Sequence, residues 1–319
     1  MYRPSYWGLQ SGKQRSATSM PELDLKYVLI TPARNERQFI ELTLKSVVAQ
    51  TILPIKWIIV SDGSTDGTDD LVKQYTADHP WVELVRMTER YDRNFARKVH
   101  AFNAGYARVT ALPYNVIGNL DADISFEQGY LAYLLSKFAE NPKLGVAGTP
   151  YQEGGRTVYD YRFASMEFVP GACQLFRREC FEEIGGYIPI KGGTVDSIAV
   201  ISARMKGWET RTFTDKTCAH HRQSGTAESG ALMARFRSGA KDYALGNHPI
   251  WEFSRSVFQM TRKPLVLGGL ALLLGYVWSV IRRTERPASR ELVAFRRREQ
   301  MQRLQQLLAP QRIFRRRAS

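Results

Sequence analysis

Short apolar strands alternate with amphipathic helices through the first half of the chain, and this alternation constrains the fold more than any other feature. Apolar runs at 27–30, 57–60 and 115–120 are each short and followed by polar residues or proline, as buried strands are. Residues 40–50 and 96–109 lie between them and carry apolar side chains at helical spacing. The alternation predicts βαβ units, and therefore an α/β fold with a mostly parallel sheet flanked by helices.

Polar segments stand directly after three of these predicted strands. They are Pro32–Glu36, Asp62–Ser64 and Asp121–Asp123. Ligands of parallel sheets bind beyond the carboxyl ends of the strands. We therefore expect the three segments to share one binding site.

Aspartates supply the first candidates for chemistry. Asp121 and Asp123, two residues apart at a strand exit, offer hard oxygen ligands to Mg²⁺ or Mn²⁺, which can clamp a diphosphate; a solvated acidic turn has the same pattern. The Asp62 carboxylate can accept a hydrogen bond from a nucleobase N–H, and Gly63 permits a tight backbone path; an Asx-turn has the same pattern.

Two further candidates lie in the second half of the chain. Asp196 follows two glycines at the start of an apolar helix, where an aspartate is either a general base or an N-cap residue. His220 and His221 offer a metal ligand, or are ordinary side chains. Cys218 is close by, but no second Cys or His pair stands at zinc-finger spacing, so a zinc site is excluded.

The order and spacing of these motifs resemble family 2 glycosyltransferases with the GT-A fold, over roughly residues 26–222. The motifs are TPARNE at 31–36, SDGSTDGT at 61–68, DAD at 121–123, VPGACQLFRRECFEEIGGY at 169–187, TVD at 194–196 and AHH at 219–221. The resemblance implies an inverting transferase that uses Mg²⁺ or Mn²⁺. Such an enzyme moves a sugar from a nucleotide-sugar donor to a saccharide or lipid-linked acceptor, in cell-surface polysaccharide or glycolipid synthesis.

The resemblance also implies a donor-binding set. Its members are Pro32, Ala33, Arg34, Asn35, Glu36, Asp62, Gly63, Lys98, Asp121, Ala122 and Asp123. Within this set the resemblance puts Asp62 on the nucleobase, Lys98 on the diphosphate and Asp123 nearest the metal. His220 is the second implied metal ligand, with His221 as the alternative.

The acceptor side and the catalytic base are implied in the same way. Gly171 and Ala172 match the family's segment that forms the floor of the acceptor site, and Asp196 matches the family's catalytic base. Val195 stands where the family usually has a glutamate before this aspartate. The Q-x-x-R-W signature of polymerising synthases is absent, and ALMARF at 231–236 is its nearest approach.

Charge and cysteine content bear on the other function classes. Residues 282–319 hold twelve Arg and three Glu, which gives +9 of the net charge of +14. Because the excess lies in a tail rather than among aromatics on the folded body, a nucleic-acid-binding module is a weaker alternative, and we expect no nucleic-acid partner. A sugar-phosphate nucleotidyltransferase is the other alternative, but residues 29–36 lack its usual glycine-rich loop. Three cysteines and a polar N-terminus favour the reducing cytosol.

The sequence divides into five predicted regions. They are a flexible leader at 1–24, a catalytic domain at 25–225 with a nucleotide-binding half at 25–123 and an acceptor half at 124–225, linking or interfacial helices at 226–263, an apolar membrane-associated segment at 264–282, and a basic amphipathic tail at 283–319.

The apolar segment and the tail suggest a membrane surface. Residues 265–281 are seventeen uncharged residues with basic flanks, which fit a short spanning helix, a re-entrant or interfacial segment, or a buried core helix. The pattern of the tail predicts either a basic amphipathic helix on an anionic membrane or a tail packed on the catalytic domain or on a partner chain. Because nucleotide sugars are cytosolic, we expect the catalytic domain at the cytoplasmic face of the inner membrane.

Overall fold

The structure is a computed structural model. It describes residues 24–88, 95–158, 163, 165–190, 192–222 and 230–308. Nearly all of the predicted leader, the segment 223–229 at the end of the predicted catalytic domain, and the last part of the predicted tail lie outside these residues.

The described residues form strands and helices in alternation, as predicted. The strands are β1 (Tyr27–Ala33), β2 (Lys56–Ser61), β3 (Val82–Arg86), β4 (Val116–Leu120), β5 (Ile124–Ser125), β6 (Leu144–Gly148), β7 (Tyr151–Glu153), β8 (Arg156–Val158), β9 (Cys173–Arg177), β10 (Glu209–Thr212) and β11 (Cys218–His220). The helices are α1 (Ile40–Val48), α2 (Thr68–Asp78), α3 (Phe95–Tyr106), α4 (Tyr130–Glu140), α5 (Arg178–Glu183), α6 (Val195–Met205), α7 (Ala231–Ala244), α8 (Pro249–Met260), α9 (Leu267–Ile281) and α10 (Arg290–Leu308).

The main sheet has seven strands in the order β10-β6-β9-β4-β1-β2-β3. Six of them run parallel to one another, but β9 lies antiparallel between β4 and β6. The sheet is therefore mixed, where the sequence predicted only that it would be mostly parallel. A buried strand has the same apolar pattern in either direction, so the pattern alone could not reveal the reversal at β9.

Helices cover both faces of this sheet, which explains why the central strands are apolar along their whole length. Leu29 and Ile59 pack with α1 and α4 on one face, and Val28 and Ile30 pack with α3, α5 and α6 on the other. Gly105 of α3 lies so close to the sheet that a Cβ there would be 2.7 Å from the Ile30 side chain. This packing fixes the carboxyl ends of β1, β2 and β4 at one edge.

A second, four-stranded sheet stands beside that edge, in the order β5-β11-β7-β8. In the antiparallel pair of β5 and β11, His220 lies opposite Ile124. This register brings His220 next to Asp123, which immediately precedes β5.

Helices α7 to α10 pack on one another and on the catalytic domain. Helix α9 has fifteen residues, and none of the described helices is both long and apolar enough to cross a membrane. Helix α10 lies against α6, with Leu292 buried and Arg204 bonded to both carboxylate oxygens of Glu299 at 2.7 and 2.9 Å. For the described part of the tail, the structure thus favours packing on the catalytic domain over a free amphipathic helix.

A buried carboxylate in α8 gives the stability of this region a pH dependence. The Glu252 side chain is 0% exposed and accepts one hydrogen bond, from Asn247 Nδ2 at 3.0 Å. Burial and, to a smaller extent, the charge on Asp242 raise the pKa of Glu252 to about 8, with Arg255 acting in the opposite direction. The pKa in the folded protein therefore lies well above that of an unfolded glutamate, about 4.3.

We expect Glu252→Gln to remove this pH dependence. Because the folded state holds the proton more tightly, the wild type should lose stability as the pH rises between these two pKa values. The amide cannot ionise, so at alkaline pH the variant should be at least about 1 kcal/mol more stable than the wild type, roughly the value of one pKa unit. Thermal unfolding at acidic and alkaline pH measures the difference, with the exposed Glu179→Gln as a control. Parallel pH curves for Glu252→Gln and wild type would contradict the assignment.

Candidate active site

The loops after β1 and β2 are tied together by hydrogen bonds. The backbone N–H of Asn35 donates to Ser64 Oγ at 3.1 Å, and its side-chain Oδ1 accepts from the Thr65 N–H at 2.9 Å. The Glu36 N–H donates to Thr68 Oγ1 at 2.8 Å. The predicted segments Pro32–Glu36 and Asp62–Ser64 therefore lie side by side.

Asp62 is held in place by arginines. Its carboxylate accepts from Arg97 Nε at 2.8 Å and Arg97 Nη2 at 2.6 Å, and Arg34 Nη1 is 3.5 Å away. A bidentate arginine fixes a carboxylate while leaving other lone pairs available to a ligand. Lys98 was predicted as a site residue from the sequence and its neighbour Arg97 was not, although both cations lie at the predicted start of one helix.

Asp121 joins helix α3 to the second half of the chain. Lys98 Nζ donates to Asp121 Oδ1, and the Asp121 backbone N–H donates to the carbonyl oxygen of Ala172 at 2.9 Å. Asn119 Nδ2 donates to the carbonyl oxygen of Gly171 at 2.8 Å. The predicted diphosphate and acceptor residues therefore meet at Asp121.

Asp123 and His220 meet as predicted, and Glu153 orients the histidine. His220 Nε2 is 3.5 Å from Asp123 Oδ1, and His220 Nδ1 is 2.9 Å from Glu153 Oε1. Because a carboxylate accepts hydrogen bonds, Nδ1 carries the proton and Nε2 presents its lone pair towards Asp123 in the neutral ring. A carboxylate on the far ring nitrogen is typical of a histidine that ligates a metal.

His221, the alternative ligand, faces a different set of groups. Its Nε2 is 2.8 Å from Ser125 Oγ, and its ring stacks on Phe39 at 6.3 Å between centroids. Its backbone N–H donates to the carbonyl oxygen of Asp123 at 2.9 Å. The geometry therefore favours His220 over His221 as the partner of the Asp123 carboxylate.

Arg222 and Glu36 complete the charged cluster. The Arg222 guanidinium donates to Glu36 and is 3.4 Å from Asp123 Oδ2. Burial raises the pKa of Glu36 to about 7, with Arg222 lowering it and the charges of Asp123 and Asp121 raising it. Burial also raises the pKa of Asp123, as does the Asp121 charge, while His220 lowers it. Arg222, which directly follows the two histidines, was missed in the sequence analysis.

These residues fit a divalent cation only in partnership with a ligand. Within the described ranges, no group of three or more His, Cys, Asp or Glu side chains is placed to hold a metal ion. Asp123 and His220 supply two donors of suitable type, and Mg²⁺ is commonly held by one or two carboxylates together with substrate phosphates. The residues present therefore fit a metal that arrives with a diphosphate.

Asp196 lines a cavity that reaches His220 of this cluster but not Asp123, Glu36 or Arg222. The cavity has a volume of about 310 Å³, and its lining includes Lys98, Asp121, Gly171, Asp196 and His220. The N-cap of α6 is Thr194, so Asp196 is the second residue of the helix and the alternative reading as an N-cap residue is wrong. Its carboxylate lies in the first turn, where the helix dipole stabilises negative charge.

A second cavity of about 540 Å³ meets the first at Asp196. The two cavities share Phe168, Thr194, Asp196 and Lys241, and the second extends between α6, α7, α8 and α10. Asp196 therefore stands where a molecule in either cavity can reach it.

Comparisons with known proteins identify a family for the chain. The chain matches the family described as glycosyl transferase family 2 over residues 28–189, which is half of its length. A poly-beta-1,6-N-acetyl-D-glucosamine synthase of Staphylococcus aureus (strain COL) is 31% identical over 117 residues, covering 36% of this chain and 26% of the synthase. The aligned part thus spans about a quarter of the length of that relative.

Solved structures share the fold at low sequence identity. A mannosyltransferase from Pyrobaculum calidifontis, in complex with GDP-Man and Mn²⁺, has a TM-score of 0.54 and 20% identity, covering 90% of this chain and 83% of the other. TarS 1–349 of S. aureus, in complex with UDP-GlcNAc, has a TM-score of 0.51 and 14% identity, covering 79% and 72%. The family match and the shared fold show that the chain belongs to glycosyl transferase family 2 and is a glycosyltransferase with an α/β fold of the GT-A type.

Proposed function

We propose that the protein is an inverting, metal-dependent transferase that moves a sugar from a nucleoside-diphosphate sugar to a saccharide or lipid-linked acceptor. The observation that carries the proposal is the single cavity lined by Asp121, Asp196 and His220. The proposal extends to cell-surface polysaccharide or glycolipid synthesis, because the curated relatives are named as polysaccharide synthases. It places the enzyme at the cytoplasmic face of the membrane, where nucleotide sugars are available.

The donor half binds the nucleotide sugar and neutralises its leaving group. Asp62, fixed by Arg97, accepts from the nucleobase, and Lys98 contacts the diphosphate. Asp123 and His220 hold Mg²⁺ or Mn²⁺, which supplies positive charge to the departing diphosphate when it is bound. The mannosyltransferase complex with GDP-Man and Mn²⁺ supports this choice of ligand and metal.

Asp196 performs the proton transfer. Its carboxylate accepts the proton of an acceptor hydroxyl while that oxygen attacks the anomeric carbon. The bond between the anomeric carbon and the diphosphate oxygen breaks in the same displacement, and the nucleoside diphosphate leaves. A single displacement inverts the anomeric configuration. The second cavity, which meets the first at Asp196, is the proposed entry for the acceptor.

A thermal-shift screen of nucleotides and nucleotide sugars, each with and without Mn²⁺, tests this function. A ligand that binds only the folded state at about 100 times its Kd stabilises that state by about 2.7 kcal/mol. We expect one nucleotide sugar to raise the Tm, and Mn²⁺ to increase the rise. Product from that donor should carry the opposite anomeric configuration by NMR. The proposal would be overturned if no nucleotide sugar raised the Tm, or if Mn²⁺ did not change the rise in Tm.

We expect Gly171→Ala to slow catalysis by displacing the proposed base. A Cβ at Gly171 would lie 2.8 Å from both Cβ and Oδ2 of Asp196, so the carboxylate must move. Misplacement by ~1 Å can cost ~100-fold, and we expect kcat to fall by about ten- to a hundredfold. The matched control is Gly192→Ala, because a Cβ at Gly192 meets no atom within 4 Å. Equal kcat values for the two variants would contradict the contact's role.

A further inference from the structure

Helices α8 and α9 expose large apolar side chains to solvent. We call these side chains, with the two that precede α9, the α8–α9 surface. They are Ile250, Phe253, Val257, Leu265, Val266, Leu267, Leu270, Leu274, Val277, Trp278, Val280 and Ile281. Leu265 is 60% exposed and Ile281 is 70% exposed, so most of each side chain is open to solvent. Large apolar side chains exposed in this number on two helices that pack together point to an interaction site.

The contacts of α9 with α7 and α8 do not explain why its exposed side chains are apolar. The inner face of α9 packs through small residues, since a Cβ at Gly275 would be 1.9 Å from the Phe236 carbonyl oxygen of α7 and one at Gly269 would be 2.3 Å from the Ser256 carbonyl oxygen of α8. The outer face carries Leu267, Leu270, Leu274, Trp278 and Ile281, at the spacing of one helical stripe. A helix that is apolar on both faces is typical of one that is covered on both faces.

The charged side chains that border the surface are predominantly basic. The exposed ones are Arg262, Lys263, Arg282 and Arg283, with Glu285 the one exposed acidic residue beside them in the described segment 249–286, where Glu252 is buried. The basic residues flank both ends of the apolar segment. The Arg282 guanidinium lies 4.6 Å from the centroid of the Trp278 ring, which joins the basic border to the apolar stripe.

We propose that the α8–α9 surface docks on an anionic membrane, with its apolar side chains in the headgroup boundary and its basic borders on lipid phosphates. Apolar area and basic charge together are what stable peripheral binding requires, and each basic residue near an anionic surface adds to the attraction. Helix α9 is ~22 Å long, against ~30 Å for the hydrocarbon core, and its inner face is occupied by α7, so it lies along the surface. This inference adds a docking surface to the membrane location given in the proposed function, and it does not depend on the proposed reaction.

A second copy of the chain is the competing occupant. In a two-fold dimer the same patch faces itself, so the basic ends of one surface would lie against those of the other or against exposed leucines. Like charges placed together across an interface are unfavourable, whereas lipid phosphates neutralise them. The charge pattern therefore favours the membrane.

Vesicle flotation of the full chain tests the proposal. We expect wild type to float with vesicles of phosphatidylcholine and phosphatidylglycerol, and to float less with phosphatidylcholine alone or at high salt. Leu270→Glu should lower the partition coefficient at least tenfold. Leu42→Glu is the matched control, because Leu42 of α1 is also a helical leucine that is 41% exposed, as Leu270 is. It should bind like wild type.

A second pair of variants tests the basic border independently of the apolar stripe. Arg262→Gln with Arg282→Gln should weaken binding to anionic vesicles several-fold, whereas Lys73→Gln on α2 should not. Equal vesicle binding by Leu270→Glu and Leu42→Glu, or by the arginine and lysine variants, would overturn the proposal. So would a wild-type protein that ignores anionic vesicles but forms a dimer that Leu270→Glu dissociates in size-exclusion chromatography with light scattering.

Discussion

Asp196→Asn is expected to lower kcat by about 10²–10⁴-fold, the range for loss of a general base. The amide matches the carboxylate in size and cannot take the acceptor proton. Asp196 stands in the first turn of α6, at the junction of the two cavities, and none of the donor-loop hydrogen bonds described above depends on it. Donor affinity should therefore change little. Initial rates at saturating donor, together with donor Kd from thermal shift, separate the two effects.

The control for this prediction is Asp70→Asn. Asp70 is an exposed aspartate of α2, so this variant should have the kcat of the wild type. Product stereochemistry gives an independent readout, since a single displacement inverts the donor's anomeric configuration. Near-normal turnover by Asp196→Asn would exclude it as the base. Product with the donor's configuration retained would exclude the single displacement itself.

Local patterns were enough to predict the donor edge of the site. The runs that became β1, β2 and β4 are recognisable from a few consecutive apolar residues, and the rule that ligands bind beyond parallel strand ends then selected loops that lie together at one edge of the sheet. Asp62, Asp121 and Asp123 all lie at that edge as predicted. Each inference needed only short stretches of sequence, because strand identity and turn chemistry are local properties.

The partners of those residues could not be predicted, because they depend on long-range register. His220 is oriented by Glu153, which is 67 residues earlier in the chain and stands at the end of the three-residue strand β7. Arg97 reaches Asp62 across 35 residues, and Arg222 reaches Glu36 across 186. No periodicity in the sequence predicts such pairs, because they form only when helices and a second sheet pack against the strand ends.

The apolar segment at 265–281 fitted three structures from its sequence, and the structure shows why. Its inner face carries glycines that meet the backbones of α7 and α8, as in a buried helix, while its outer face carries exposed leucines, as in an interfacial one. Hydropathy averages the two faces and therefore could not separate these cases. The tail could not be predicted for the same reason. Its apolar pattern fits a membrane-bound helix or a packed one, and in the structure Leu292 packs on α6.

Asp123→Asn is expected to abolish the metal-dependent part of donor binding while leaving the fold intact. Asp123 and His220 are the two groups proposed to hold the cation. Even the loss of a supporting partner usually costs ~10–100-fold in metal affinity, so the loss of a ligand should cost at least as much. The fold should survive. Burial raises the pKa of the Asp123 carboxyl, which means that burying its charge is unfavourable, and a neutral amide avoids that cost. Thermal shift with nucleotide sugar across a Mn²⁺ titration measures the effect.

Asp62→Asn is the matched control, because it removes one buried carboxylate from the same edge but on the nucleoside side. It should weaken donor binding with and without Mn²⁺ by the same factor, since its proposed partner is the base. Asp123→Asn should instead bind donor as wild type does without metal, and should not respond when Mn²⁺ is added. If Asp123→Asn keeps the wild-type response to Mn²⁺, the assignment of Asp123 to the metal is wrong. If both variants lose the Mn²⁺ response equally, the cation is not held by the Asp123–His220 pair but by the wider charge of the strand ends.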